Sequence, residues 1–88
     1  MSYTNSLDQL LDLLRQNTVK IELHRKPPKN DIRILTATLM EGVPTSNCPV
    51  DGYIDTSVEG ITKVYVWDTK EFRWNTFRFE NVQTADVV

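Results

Sequence analysis

The sequence predicts a mainly β fold: a small, strongly bent antiparallel barrel preceded by an N-terminal α-helix. In residues 61–68 the β-branched and aromatic residues alternate with polar ones, as in a strand with two different faces. Four polar residues follow at positions 68–71, beginning with an aspartate that can bond its own backbone, and a second aromatic run comes next. This order of strand, turn and strand predicts a β-hairpin, which is the best-defined unit of the chain.

The aromatic residues in the second strand of this hairpin predict that the strand is strongly bent. Phe72 and Trp74 fall on one parity of the strand, whereas Phe77 and Phe79 fall on the other, so a flat strand would place large rings on both faces. A bulge or sharp bend near Asn75 would resolve this conflict. Small barrels use strongly bent strands to turn their corners, which favours a barrel over the alternative of an open sheet covered on both sides.

Length and composition predict one domain. The chain has 88 residues, of which 40% are hydrophobic and 25% are charged, and this composition is globular. A chain of this size buries roughly 60 to 65% of its unfolded surface and forms a single core. We therefore expect residues 1–88 to make one domain.

The helix is predicted over about residues 6–16, after a frayed end at residues 1–5. Ser6 is a suitable N-cap, and Gln9 lies three positions on, as in a capping box. The residues that share one apolar stripe by helical spacing are Leu7, Leu10, Leu11 and Leu14. A helix this short is not stable alone, so we expect it to dock across an open end of the barrel.

Residues 18–82 should form the barrel. Val19, Ile21 and Leu23 alternate with polar residues, which predicts a first strand with a clean inner face. Residues 25–31 are charged and contain two prolines, and they are typical of an exposed basic hairpin loop. A second strand is predicted over residues 32–40, with apolar side chains on both parities.

The rest of the chain is predicted to be loop and tail. Residues 41–60 contain three glycines and two prolines, and we interpret them as an ordered or half-ordered long loop. Asp51 and Gly52 lie between apolar residues, so a small hairpin is one possible element within this loop. A short final strand is expected at Asn81 and Val82, and a tail at residues 83–88.

The inventory of reactive residues argues against an enzyme. The chain has one histidine, His24, and one cysteine, Cys48, and its three glycines fit no phosphate-binding loop. No third residue is suggested to orient a His24 and Cys48 pair, and these two supply only half of a zinc set. We therefore predict no catalytic residue, no metal site and no cofactor.

Cysteine content and hydropathy predict the cytoplasm as the compartment. A single cysteine allows no disulfide within the chain, so Cys48 is most simply a free thiol in a reducing compartment. The N-terminus lacks a basic segment followed by an apolar one, and no stretch approaches 18 uncharged apolar residues. Secretion and membrane spanning are not expected.

Charge is distributed unevenly along the chain, whose net charge is -2. Residues 41–60 carry four acidic side chains and no basic one, whereas the first predicted hairpin is basic. The candidate nucleic-acid-binding residues are Lys20, Arg25, Lys26, Lys29 and Arg33, with Tyr65, Trp67 and Trp74 as stacking surfaces. The alternatives are that the tryptophans belong to the core and that the basic loop is ordinary solvated surface.

The central hairpin also resembles a known signature. The pattern consists of Val64, Val66, Trp67, Asp68, Trp74, Phe77, Arg78 and Val82. It is similar to that of a family of short phage proteins related to WYL domains, which have an Sm-like, SH3-type barrel. Residues 31–39, followed by Pro44, are similar to the second strand of that family, so the resemblance covers roughly residues 18–82. The chain differs at Asn75, where the family often has arginine, and in its longer 41–60 loop.

Two functions follow as expectations. The resemblance implies a phage accessory module, without enzymatic activity, that contacts a host or phage protein in the host cytoplasm through the surface of its small barrel. The alternative is direct binding of RNA or single-stranded DNA by the basic hairpin and exposed aromatic rings. The resemblance also implies that self-association through sheet edges could serve either function.

Overall fold

The computed structural model of the chain describes residues 6–88. The predicted frayed end at residues 1–5 lies outside this range. The helix and strands in chain order are α1 (Leu7–Gln16), β1 (Val19–His24), β2 (Ile32–Thr38), β3 (Ile54–Asp55), β4 (Lys63–Asp68), β5 (Arg73–Arg78) and β6 (Val82–Val87). Two short 3-10 helices occur at Asp51–Tyr53 and Phe79–Asn81.

The strands form one antiparallel sheet that bends into a small barrel of the SH3/Sm-like type. Its strands follow the order β6-β1-β2-β4-β5. The short strand β3 pairs with the first half of β4, whereas β2 pairs with the last two residues of β4. The two end strands, β5 and β6, are joined directly by the Phe79–Asn81 3-10 helix. The predicted fold class, a mainly β barrel preceded by one helix, is therefore confirmed.

The core lies between the inner faces of the strands and the helix. Its buried side chains alternate along β1, and along β4 as far as Val66, as the strand period requires. Those from the sheet are Val19, Ile21, Leu23, Leu35, Ala37, Val64, Val66, Phe77 and Ala85, and those from the helix are Leu10, Leu11 and Leu14. The predicted leucine stripe thus packs on the sheet.

Helix α1 is fixed at both ends. The Ser6 Oγ accepts a hydrogen bond from the backbone N–H of Gln9 at 3.5 Å, which supports the predicted N-cap. At the other end the carbonyl of Leu14 accepts from the N–H of Leu39 at 2.9 Å, just beyond the end of β2. The helix therefore covers the end of the barrel at which β1 begins and β2 ends.

Thr38 joins the helix to β2. Its side chain is fully buried, and its hydroxyl lies 3.1 Å from the carbonyl of Leu14 and 2.9 Å from that of Asn17. The same hydroxyl oxygen accepts a hydrogen bond from the N–H of Met40 at 3.0 Å. One buried threonine thus satisfies backbone groups that would otherwise lack partners where the helix meets the sheet.

The predicted hairpin is present, but the bulge predicted near Asn75 is not. The β4 and β5 strands pair in unbroken register from Lys63 with Arg78 to Asp68 with Arg73. Two of the large aromatic rings that a flat strand would place on both faces leave the strand at its two ends instead. Phe72 lies in the turn with a φ of 56° and a ring that is 74% exposed, and Phe79 belongs to the following 3-10 helix.

Asp68 organises the hairpin turn. Its buried carboxylate accepts hydrogen bonds from the N–H groups of Lys70 at 2.8 Å and Glu71 at 2.9 Å. The second carboxylate oxygen accepts from the amide of Asn75 at 2.8 Å. Asn75 therefore supports the turn.

Two predicted segments differ from the structure. Residues 83–88 are not a tail, because β6 extends to Val87 and pairs with β1 along its length. Its buried Ala85, paired with Ile21, is a short apolar signal that is easily missed. The hairpin suggested at Asp51 is absent as well, since the chain makes a 3-10 turn there and β3 then pairs with β4.

Candidate nucleic-acid interface

A basic groove lies at the end of the barrel opposite the helix. Strand β1 starts beside α1 and ends at His24, so the loop that follows it lies at the far end. There a groove of about 320 Å³ opens between this loop, the base of the β4–β5 hairpin and the second 3-10 helix. The residues that line it are Leu23, Arg25, Lys26, Pro27, Pro28, Lys29, Arg33, Lys63, Thr76, Phe77, Arg78 and Asn81.

Six of the twelve lining residues are basic, and none is acidic. The β1–β2 loop supplies Arg25, Lys26 and Lys29. Arg33 comes from the inner parity of β2, which it shares with the buried Leu35. Their positive potentials add within the narrow space between the segments, which is the arrangement that attracts an anion.

The base of the β4–β5 hairpin supplies the other two cations. Lys63 and Arg78 are directly paired across the strands, so their side chains leave the sheet on the same face. The floor of the groove includes Leu23 and Phe77, which belong to the buried core. The groove is therefore an apolar-floored opening of the barrel with a cationic rim.

Arg25 is held rigidly by an ion pair. Its Nε donates to the Oδ1 of Asp31 at 2.7 Å, and a second guanidinium nitrogen bonds the other carboxylate oxygen. The N–H of Arg25 also donates to the carbonyl of Asp31 at 2.8 Å. The hydrogen bond from Arg25 is the main reason that the pKa of Asp31 lies below its usual range, and it raises the pKa of Arg25 in turn.

The remaining groove cations are less constrained. Lys26 and Arg78 approach the carboxylate of Glu80 from two sides, at 3.5 and 3.7 Å. Within residues 6–88, Lys29, Arg33 and Lys63 make no direct ion pair, and Lys29 and Lys63 interact only at longer range with Asp31 and Asp55. These three side chains can therefore meet an incoming anion without first breaking a salt bridge.

The structure brings together four of the five predicted basic residues. Arg25, Lys26, Lys29 and Arg33 all line the groove. Lys20 does not, because it lies on the outer face of β1 between Thr36 of β2 and Asp86 of β6. Lys20 is therefore not part of the candidate site.

The aromatic residues separate into three environments. Trp67 is 2% exposed, so it is a buried residue and offers no stacking surface. Trp74 packs edge-on against Trp67 at 5.6 Å, stacks with Tyr53 at 6.0 Å, and donates its Nε1–H to the carbonyl of Ser46 at 3.1 Å. Tyr65 is half-exposed and lies on the same hairpin face as Lys63 and opposite Thr76, both of which line the groove.

The other signature residues are structural. Val64 and Val66 are fully buried, and Asp68 holds the turn. Phe77 reaches both the core and the groove floor, whereas Arg78 belongs to the groove rim. The signature therefore describes how the hairpin packs, with Arg78 as its one member on the basic rim.

Sequence reasoning missed Lys63 and Arg78 as site residues. Both lie five positions from the ends of the turn at Asp68 and Arg73, and pairing of the hairpin brings them together. This equal spacing from the turn is a sequence signal that the two cations are paired. The net charge of residues 61–88 does not reveal it, because their four acidic residues cancel their four basic ones. Asn81 was also missed, and its buried Oδ1 has no hydrogen-bond partner within the described part of the chain.

Reactive groups do not cluster in the described residues. His24 approaches the carboxylate of Glu22 at 2.7 Å on the exposed face of β1, and Cys48 is a half-buried free thiol in the 41–60 loop. Across residues 6–88 there is no group of three or more His, Cys, Asp or Glu side chains placed to hold a metal ion. In the same range no helix has the length and apolarity needed to cross a membrane.

Comparison of the chain with protein-family models, with curated proteins and with solved structures gives no match. The candidate site therefore rests on its own geometry: an apolar-floored groove, a rim of six cations drawn from three segments of the chain, and one half-exposed tyrosine on the same hairpin face as Lys63.

Proposed function

We propose that the protein is a non-enzymatic binding module whose basic groove binds single-stranded RNA or DNA. The observation that carries this proposal is the convergence of six cations on one groove, three of which pair with the two nearby carboxylates of Asp31 and Glu80 and three of which make no ion pair. The chain as a whole is acidic, with a net charge of -2, so this concentration of positive charge is local. A polyanion would be repelled by much of the surface and attracted at this end of the barrel.

The form of the groove favours a single strand over a duplex. A volume of about 320 Å³ suits one or two splayed nucleotides and is too small for a duplex. Tyr65 lies on the hairpin face next to Lys63 and Thr76, where its ring can stack on a base adjacent to the phosphates. Small barrels commonly bind single strands by this combination of stacking and backbone contact.

The number of free cations sets the expected salt dependence. For single strands, the logarithm of the binding constant falls with the logarithm of salt concentration with a slope of about -0.7 per neutralised phosphate. The three cations without an ion pair therefore predict a slope of about -2. Fluorescence anisotropy with labelled oligouridine and oligothymidine, between about 30 and 300 mM salt, measures this slope. Absence of binding at the lowest salt would refute the proposal.

A charge-matched pair of variants tests the location. Lys29→Glu with Lys63→Glu reverses two groove cations, whereas Lys20→Glu with Lys70→Glu reverses two exposed lysines outside the groove. Both variants have the same net charge. We expect the groove variant to lose about tenfold or more in affinity and the control to lose no more than about threefold. Equal losses would mean that overall charge, not the groove, controls binding.

The resemblance to short phage proteins sets the cellular part of the proposal. In that setting the bound strand would be a host or phage transcript or a single-stranded DNA intermediate in the host cytoplasm. Crosslinking in the natural cell, followed by sequencing of the bound strands, would identify it. Recovery of strands by the wild type but not by the Lys29→Glu, Lys63→Glu variant is the expected result.

A second candidate function is contact with a host or phage protein, and the N-terminal half of β2 favours it. This strand pairs with β4 only through Ala37 and Thr38, so its earlier residues have no described strand neighbour on the side away from β1. Ile32 and Ile34 there are 61% and 53% exposed. An extended peptide could add to this edge. A partner identified by mass spectrometry should be lost in Ile32→Asp, Ile34→Asp and retained in the groove variant.

A further inference from the structure

We infer that Lys26 and Arg78 form a phosphate subsite, which the carboxylate of Glu80 occupies in the free protein. This inference rests on the proposed binding of a nucleic-acid strand in the groove. One backbone phosphate of the bound strand sits between Lys26 and Arg78 and displaces the carboxylate of Glu80.

Glu80 lies where a bound anion would be held from both sides. It belongs to the Phe79–Asn81 3-10 helix, directly after β5 and Arg78. One carboxylate oxygen is 3.5 Å from the Nζ of Lys26, and the other is 3.7 Å from a terminal nitrogen of Arg78. Lys26 belongs to the β1–β2 loop and Arg78 to the end of β5, so a single carboxylate spans two separate segments of the groove rim.

Both contacts of Glu80 are loose. Hydrogen-bonded ion pairs in proteins are typically about 2.7 to 2.9 Å long, so the distances of 3.5 and 3.7 Å leave room for a better-fitting anion. All three side chains are also well exposed, at 67% for Lys26, 51% for Arg78 and 41% for Glu80. Exposed pairs of this kind are weak, and a phosphodiester with the same charge can replace the carboxylate at little cost.

Arg25 provides the contrast that locates the subsite. Its guanidinium makes a two-point pair with Asp31, with one bond of 2.7 Å and a further backbone bond between the same residues. A phosphate would have to break this compact arrangement, which also closes the β1–β2 loop. We therefore expect a phosphate to replace the Glu80 carboxylate between Lys26 and Arg78. Arg25 stays paired with Asp31 and holds the β1–β2 loop in place.

The consequence is that Glu80 competes with the ligand. Each binding event must move its carboxylate away from the two cations, so Glu80 lowers the affinity for a strand. Removing the charge while keeping the shape, as in Glu80→Gln, should therefore strengthen binding. We expect Glu80→Gln to bind labelled oligouridine or oligothymidine about 3- to 10-fold more tightly than the wild type at low salt.

Glu71→Gln is the matched control. Glu71 is also exposed and also pairs with an arginine, Arg73, at 2.8 Å, but it lies at the hairpin turn and its partner does not line the groove. The two variants remove the same charge, so both gain equally from the change in net charge alone. We expect the Glu71→Gln variant to stay within about twofold of the wild type.

A second comparison isolates the subsite from bulk charge. The Glu80→Gln change is repeated in a background carrying Lys26→Ala and Arg78→Ala, where no subsite remains for the carboxylate to block. We expect the gain in affinity to fall there to that of the Glu71→Gln control. Urea unfolding of each variant, monitored by circular dichroism, confirms that the folded protein is the species measured.

The outcomes separate this inference from the proposed function. If the wild type binds and Glu80→Gln behaves like Glu71→Gln, the subsite is refuted while groove binding stands. A gain that persists unchanged in the Lys26→Ala, Arg78→Ala background also refutes the subsite. If neither the wild type nor Glu80→Gln binds any strand at low salt, both the subsite and the proposed function are wrong.

Discussion

Replacing Thr38 with valine should destabilise the fold far more than the same change at Thr36, two residues earlier on the same strand. Valine keeps the size and β-branching of threonine, so packing and strand propensity change little. The Thr38 hydroxyl, however, is fully buried, donates to the carbonyl of Asn17 at the end of the helix and accepts from the N–H of Met40 at 3.0 Å. The Thr36 side chain is half-exposed and makes none of these bonds.

The magnitude follows from the bonds lost. The hydroxyl has one proton, so Thr38→Val removes one donated and one accepted hydrogen bond, and it leaves the Asn17 carbonyl and the Met40 N–H without this partner. At about 1 kcal/mol per bond plus the cost of unpaired buried groups, the loss is about 2 to 3 kcal/mol. A chain of this length has a total stability of about 4 to 13 kcal/mol.

Thermal and urea unfolding measure this difference. We expect Thr38→Val to lower the melting temperature by about 10 to 20 °C and Thr36→Val to change the free energy of unfolding by less than about 0.5 kcal/mol. Similar small effects at both positions would show that the hydroxyl does not join the helix to β2. A large effect at Thr36 would contradict the assignment of that side chain to the outer face.

Three further predictions concern the turn and the basic loop. Asp68→Ala should cost about 2 to 4 kcal/mol of unfolding free energy in urea, because three hydrogen bonds to its carboxylate are lost. Phe72→Gly should raise that free energy by about 0.5 to 1 kcal/mol, since it relieves a φ of 56° at a ring with little packing; a loss would show that the ring is held. In NMR titrations the pKa of Asp31 should lie below its usual range and return there in Arg25→Gln. Its lowered pKa stabilises the fold above about pH 4, and this contribution is lost as pH falls through the folded-state pKa.

The parts of the fold that depend on local pattern were predictable from sequence. The leucine stripe and the Ser6 cap predicted a helix over about residues 6–16, close to the observed Leu7–Gln16. Alternation gave β1, and the polar turn gave the β4–β5 hairpin. In each of these elements, the signal lies within about ten neighbouring residues.

The parts that depend on pairing with distant strands were not predictable in this way. Strand β6 has a weak pattern of its own, and it exists because β1 offers it a partner from Val19 to Leu23. The ring conflict in the hairpin suggested a bulge, whereas the backbone at Phe72 takes a positive φ and moves that ring out of the strand altogether. Turn geometry of this kind leaves no signal in hydrophobic periodicity.

The candidate site was half predictable for the same reason. The four cations of the groove at or near the β1–β2 loop are close in sequence, and charge counting found them. Lys63 and Arg78 join them only through the three-dimensional closure of the barrel, and Lys20 is excluded only by its position on the outer face of β1. The sequence likewise does not show that Trp67 is buried, and its burial means that its ring cannot stack on a base.

Strand β6 carries the chain from the groove end of the barrel to the helix end. Strand β6 runs from Val82, beside the groove end of β1, to Val87, and the N–H of Val88 bonds the carbonyl of Thr18 at 3.0 Å next to the helix. A tether attached after Val88 therefore leaves from the pole opposite the groove. Protein immobilised through that end on a sensor chip, or displayed from a larger particle, would present its basic groove to the surrounding solution.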